Sequence, residues 1–227
     1  MEWNLDININ DKLYLRDPKT SDLGKNILRN GIIMIEEIGI EDFTFKKLAK
    51  EMNTTESSIY RYFENKQMLL LYVLSWYWQW LEYLVVFKSN NIENSEKKVD
   101  ILLDVLLLNT KDYIDGGPIV DKRILHMLVI KESSKSYLNH DVTKFNEYGF
   151  YKPYKALCSR IAGIFKEINP EYPYSRNLAS TVLLMSRNLY FFMQNLPSLT
   201  DFTETKDISN TKTFLKDTIY KSLKVLS

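Results

Sequence analysis

The sequence predicts an all-α protein. Apolar residues recur at steps of three and four rather than two, and only seven glycines and six prolines punctuate 227 residues of which 13% are aromatic. This is the pattern of long, uninterrupted helices around a sizeable core. Thirty Lys and Arg against 29 Asp and Glu leave a net charge of +1 and a pI near 7.7. That balance excludes a bulk polycation coating nucleic acid or anionic membrane by charge alone, so any nucleic-acid contact must be local. The single cysteine, Cys158, cannot form an internal disulfide, and Met1 to Asn10 is too polar for a signal segment. A reducing cytoplasm is the expected location.

Residues 1–20, rich in Asn, Asp and Lys with Pro18 near the end, read as a flexible or loosely docked arm. Ser21 or Asp22 caps a first helix whose stripe is Leu23, Ile27, Gly31, Met34 and Ile38, and Gly39 ends it as a left-handed cap would. Thr44 caps a short second helix carrying Phe45, Leu48, Ala49 and Met52, stopped by Asn53. Thr55 caps a third with Ile59 and Phe63 inward, and Asn65 caps a long fourth. Glu96 to Asp115 follows with Val99, Leu102, Leu103, Leu106 and Tyr113 inward, broken by Gly116, Gly117 and Pro118. Ile119 to about Lys135 and Asp141 to Ile168 are two further helices, the second interruptible near Gly149 and Pro153. Ser175 to Asn195 and a last helix over 210–226, with Leu215, Ile219, Leu223 and Leu226 on one side, complete the chain.

The functional signal is concentrated between Thr44 and Leu69, TFKKLAKEMNTTESSIYRYFENKQML. Two short helices joined by a tight turn form a helix-turn-helix, whose second helix enters the major groove while the first braces it. Phe45, Leu48, Ala49, Met52, Ile59 and Phe63 hold the angle, which leaves Glu56, Ser57, Ser58, Tyr60, Arg61 and Tyr62 on or near the exposed side. Small residues at the start of the third helix let the backbone approach base edges, and the hydroxyls and guanidinium farther along supply donors.

This stretch resembles the DNA-binding signature of the TetR family of transcriptional regulators. The matching residues are Thr44, Leu48-Ala49, the turn Asn53-Thr54-Thr55, Ile59-Tyr60-Arg61-Tyr62-Phe63, and Asn65-Lys66. Asn53-Thr54 stands where the family has Gly-Val, Glu56 where a neutral or basic residue is usual, and Phe45 where a polar one is common. The resemblance implies base readout by Lys46, Glu56, Ser57, Ser58 and Arg61, and phosphate contacts by Thr44, Tyr60, Tyr62 and Lys66. Thr44 and Thr55 serve equally as caps, Tyr60 as half core and Lys46 as a solvated charge. It further implies a helix-turn-helix domain over 21–67, then a helical regulatory and dimerisation domain over 68–227, with a homodimer formed through 175–195 and 210–226 on a palindromic double-stranded DNA operator. An effector pocket against the fourth helix is implied too, its candidate residues being Trp76, Gln79, Trp80, Glu82, Tyr83 and His126, for an apolar or aromatic small molecule. The expected function is a ligand-responsive repressor.

Electrostatics temper this reading. Residues 1–70 hold ten basic and twelve acidic side chains, opposite to the usual nucleic-acid footprint, while 44–66 hold five basic and three acidic. Modest non-specific affinity and reliance on dimerisation are expected. The alternative is a helical interaction or membrane-associated protein, because Met68 to Phe87 is apolar except for Ser75, Gln79 and Glu82 and is long enough to cross a bilayer. Gln79 and Glu82 would then sit in hydrocarbon, so a buried helix is favoured and no membrane partner is expected. His126, His140 and Cys158 have neither metal-site nor nucleophile spacing, and no phosphate-cradling glycine loop occurs. Neither catalysis, metal nor cofactor is expected.

Overall fold

The computed structural model describes residues 7–108, 121–202 and 208–224. Among them lie ten α-helices and no strand: α1 (Asp22–Asp42), α2 (Phe45–Glu51), α3 (Glu56–Tyr60), α4 (Lys66–Ser89), α5 (Ser95–Leu106), α6 (Lys122–Glu132), α7 (Val142–Glu147), α8 (Lys152–Ile168), α9 (Ser175–Asn195) and α10 (Ile208–Lys224). The chain forms two compact units, Met1–Trp78 with Tyr113–Pro153 and Gln79–Asp112 with Tyr154–Ser227.

In the first unit the described part of the N-terminal segment is packed, more closely than the flexible or loosely docked arm the sequence suggested. Asn10 and Asp17 cap short 3-10 turns at Asp11–Leu13 and Pro18–Thr20, and Ile7, Ile9, Leu13 and Pro18 are buried. Gly24 makes this docking possible: a Cβ there would stand 2.3 Å from the Pro18 carbonyl oxygen. Covering that side turns α1 slightly. Its buried residues are Gly24, Ile27, Leu28, Gly31, Ile32 and Ile35, while the expected stripe members Leu23, Met34 and Ile38 are not buried.

Ser21 caps α1 by accepting the Gly24 N–H at 3.1 Å. Gly39, at φ +77° and ψ 159°, breaks the helical path rather than ending it, and one further turn runs to Asp42. That region of backbone space is essentially reserved for glycine. α6 packs against α1.

The second unit is built where α5, α9 and α10 pack on one another. Val99, Leu102, Leu103 and Leu106 of α5, Val182, Leu183 and Leu189 of α9, and Leu215, Ile219 and Leu223 of α10 are buried, each contributing about 1.5–3 kcal/mol. Lys212 to Asp104 and Lys216 to Asp100, both at 2.9 Å, tie α10 to α5. α5 is shorter than predicted: Leu107 caps it and Leu108 turns left-handed at φ +50°. Tyr113, the Gly116-Gly117-Pro118 break and Leu226 lie outside the described residues. The predicted interruption between 141 and 168 is real, with Gly149 at φ +81° between α7 and α8. Pro153 opens α8 rather than breaking it, since an N–H there has no intrahelical acceptor to lose. No helix among the described residues is long and apolar enough to cross a membrane.

Candidate nucleic-acid interface

The helix-turn-helix forms as its residues dictate. The Thr44 hydroxyl accepts from Lys47 N–H at 3.1 Å, Asn53 takes the left-handed turn at φ +50°, and Thr54 N–H closes on the Ala49 carbonyl at 2.9 Å. The Thr55 hydroxyl caps α3 at the Ser58 N–H, 3.3 Å away. Phe45, Leu48, Ala49, Ile59 and Phe63 are buried between the helices. Phe45, the departure from the family pattern, meets the Tyr60 ring edge-on at 5.0 Å and steadies the recognition helix.

Thr44, Lys46, Ser57, Tyr60 and Arg61 are exposed, Tyr60 to 46%, and Glu56 is half-buried. Three members of the expected contact set are placed differently. Ser58 is buried, its hydroxyl bonded to the Thr55 hydroxyl and accepting from Arg61 Nη2 at 3.2 Å, so it orients the guanidinium rather than facing a base. Tyr62 is only 2% exposed, and its hydroxyl shares a hydrogen bond of 2.8 Å with Ser21. Lys66 donates to the carbonyls of Ile40 and Glu41, both at 2.7 Å, and of Phe43 at 3.1 Å. All three ammonium protons are thereby committed to the open end of α1. Lys47 completes the set on the Asp42 carbonyl at 2.8 Å.

A second clasp on this end of α1 was not legible in the sequence. Glu132, at 3% exposure, accepts the Ile40 N–H at 3.3 Å, supplying an acceptor just past the Gly39 break. Lys135 bridges Glu132 and Glu41, and Lys131 holds Glu36. The hydrogen bond from Lys135 holds the Glu41 carboxyl below its ordinary range. Burial would push Lys135 down, but its bonds to Glu41 and Glu132 outweigh that and raise it. The only foretaste in sequence is the run Lys131-Glu132 to Lys135, whose partners lie some 95 residues away.

The effector candidates are divided between the two units. Trp80 and Ser75 are buried, Phe87 is exposed and stacks on Tyr83 at 5.8 Å, and His126 is a core residue whose Nδ1 shares a 2.6 Å hydrogen bond with the Tyr77 hydroxyl. Trp76 and His126 belong to the first unit, and Gln79, Trp80, Glu82 and Tyr83 to the second. An open cleft of about 620 Å³ lies in the second unit, and of the six candidates only Glu82 lines it. Its walls are polar, with Arg160 3.7 Å from Glu82 and Lys98 bonded to Glu167 at 2.6 Å. The aromatic stripe of α4 does not line it: Trp80 is buried, Trp76 and Tyr83 are half-buried, and Phe87 is exposed.

Burial pushes the Cys158 thiol up to about 11 against the opposing Arg187 charge and Tyr154 hydrogen bond, which keeps it protonated and unreactive at neutral pH. Among the described residues no three His, Cys, Asp or Glu side chains group as a metal site.

Residues 27–73 match the family model described as bacterial regulatory proteins, tetR family. No curated protein sequence matches the chain. Among solved structures, the fatty acid degradation regulator FadR from Bacillus halodurans is 15% identical with a TM-score of 0.60, covering 86% of this chain and 92% of its own. AibR in complex with isovaleryl coenzyme A and operator DNA is 15% identical with a TM-score of 0.58, covering 86% and 95%. The family match and the local geometry agree on a tetR-family helix-turn-helix over residues 27–73, and the fold of the chain is similar to that of FadR and AibR.

Proposed function

We propose that the protein is a homodimeric, ligand-responsive transcriptional repressor acting on a palindromic operator, with 21–67 as its DNA-binding domain and 68–227 as its regulatory and dimerisation domain. The observation that carries the reading is the exposed row Ser57, Tyr60 and Arg61 on a recognition helix capped at Thr55 and braced by Phe45. Arg61, held by Ser58, suits bidentate contact with guanine, and Lys46, Glu56 and Ser57 flank it as base-reading residues. Thr44 and Tyr60 reach phosphates on either side.

The dimer forms through α9 and α10. Leu184 and Phe214 on these helices are 37% and 39% exposed, which suits a symmetric apolar contact. Two recognition helices then meet successive major grooves about 34 Å apart, and an effector that favours a different spacing releases the operator. AibR, seen with both an acyl coenzyme A and operator DNA, supports an effector for this fold. Here the polar cleft around Glu82, Arg160 and Lys98 is the candidate entry.

The test is titration of the protein on the DNA upstream of its own gene. Arg61→Ala is expected to abolish the preference over unrelated DNA. Retention of that preference overturns the assignment of the recognition helix.

A further inference from the structure

The helix-turn-helix is flanked by a surface that the family match, residues 27–73, does not include. Leu13 is fully buried, Pro18 is buried against Gly24 with no room for a Cβ between them, and Lys19 donates to the Ile7 carbonyl at 3.0 Å. These contacts fix the segment between them, and Leu15 N–H pairs with the Tyr62 carbonyl at 2.8 Å, next to the end of the recognition helix. The following residue, Arg16, is exposed and lays its guanidinium over the Tyr62 ring, 5.4 Å from the centroid. The neighbouring Asp17 carboxylate is turned away to cap the next turn at Lys19 N–H, 2.8 Å away.

Tyr62 stands where a phosphate contact is expected, yet its ring is covered and its hydroxyl is taken by Ser21. The cation covering it stacks on the residue that follows Arg61 in the chain and presents a guanidinium fork, the group best shaped for a phosphate. Stacking on the ring orders the side chain in advance, so less rotamer freedom is lost on binding. We propose that Arg16, carried on the docked N-terminal segment and stacked on Tyr62, is a DNA phosphate-binding residue of this protein.

This rests on the DNA-binding reading above, and one experiment separates the two. Full-length protein is titrated on the duplex from its own upstream region and on an unrelated duplex of equal length, between about 50 and 200 mM salt. Arg16→Ala is expected to lower the slope of log affinity against log salt by about one per bound protomer and to weaken both duplexes by the same factor. Arg16→Lys should retain the slope, and the melting temperature of either variant should match the parent. Lys12→Ala removes an equal charge from the same segment, on a side chain that sits over Tyr148 at 4.9 Å, and should leave the slope unchanged. An unchanged slope in Arg16→Ala, or an equal fall in Lys12→Ala, overturns the assignment. A lowered melting temperature with an intact slope overturns it too, making Arg16 a structural stack. If the parent binds neither duplex in a salt-dependent way, the DNA-binding reading itself falls.

Discussion

The family resemblance implies a phosphate contact for Lys66, but its ammonium saturates three carbonyls at the end of α1. Lys66→Ala should therefore cost about 1–3 kcal/mol of stability, seen as a lowered melting temperature, while the salt slope of DNA binding stays unchanged. A slope reduced by about one would return the residue to the phosphate set. Cys158 makes a second prediction: with its thiol pushed up to about 11, alkylation by iodoacetamide should be slow at neutral pH and should accelerate steadily up to that pH in the folded protein. The exposure of Ser57, Tyr60 and Arg61 was legible from spacing alone. The roles of Ser58, Tyr62 and Lys66 were not, because each is decided by a partner brought in from elsewhere: the Arg61 side chain, Ser21, and the carbonyls behind Gly39.

At the scale of elements, caps and turns were readable because they are local. Thr44, Asn53 and Thr55 each act within four residues, and the structure has them as cap, left-handed turn and cap. The face that α1 buries was not readable, since Pro18 packs on Gly24 and shifts it. The break at Gly39 is where α1 depends most on the rest of its unit. Gly39→Ala should lose about 1–3 kcal/mol from backbone strain. Glu132→Ala should lose a similar amount by orphaning the Ile40 N–H, with Glu132→Gln retaining part of it; chemical denaturation measures all three.

The Lys135 bridge adds a pH dependence. Glu41, held low, contributes stability above the ordinary carboxylate range and loses it as pH falls through its depressed value; Lys135, held high, contributes below the ordinary lysine range and loses it as pH rises through its raised value. The melting-temperature difference between parent and Lys135→Met should therefore be flat around neutrality and shrink at both extremes.

For the whole molecule, near-zero charge conceals a five-to-three basic excess over 44–66, and the docked segment adds Arg16 to it. For a DNA-binding role this distribution requires number and placement of contacts rather than bulk field, which is the reason to test for a two-fold assembly. Leu184→Glu on α9 should convert a sedimenting dimer to monomer, leave the helical content intact and reduce operator affinity steeply. The all-α class and the position of the helix-turn-helix were visible in the sequence because both are written in local periodicity and caps. The cleft of the second unit was not, because it is lined by polar residues from α4, α5 and α8 and not by the aromatic stripe of α4, which is divided between core and surface.

The central claim is that α3 reads DNA sequence. Competition binding of the parent and Arg61→Ala proteins between the upstream duplex and an unrelated one, at fixed salt, tests it most directly. A strong preference of the parent for the upstream duplex is expected, lost in Arg61→Ala, with residual non-specific affinity little changed. Equal affinity of the parent protein for both duplexes, or an unaltered preference in the variant, would contradict it.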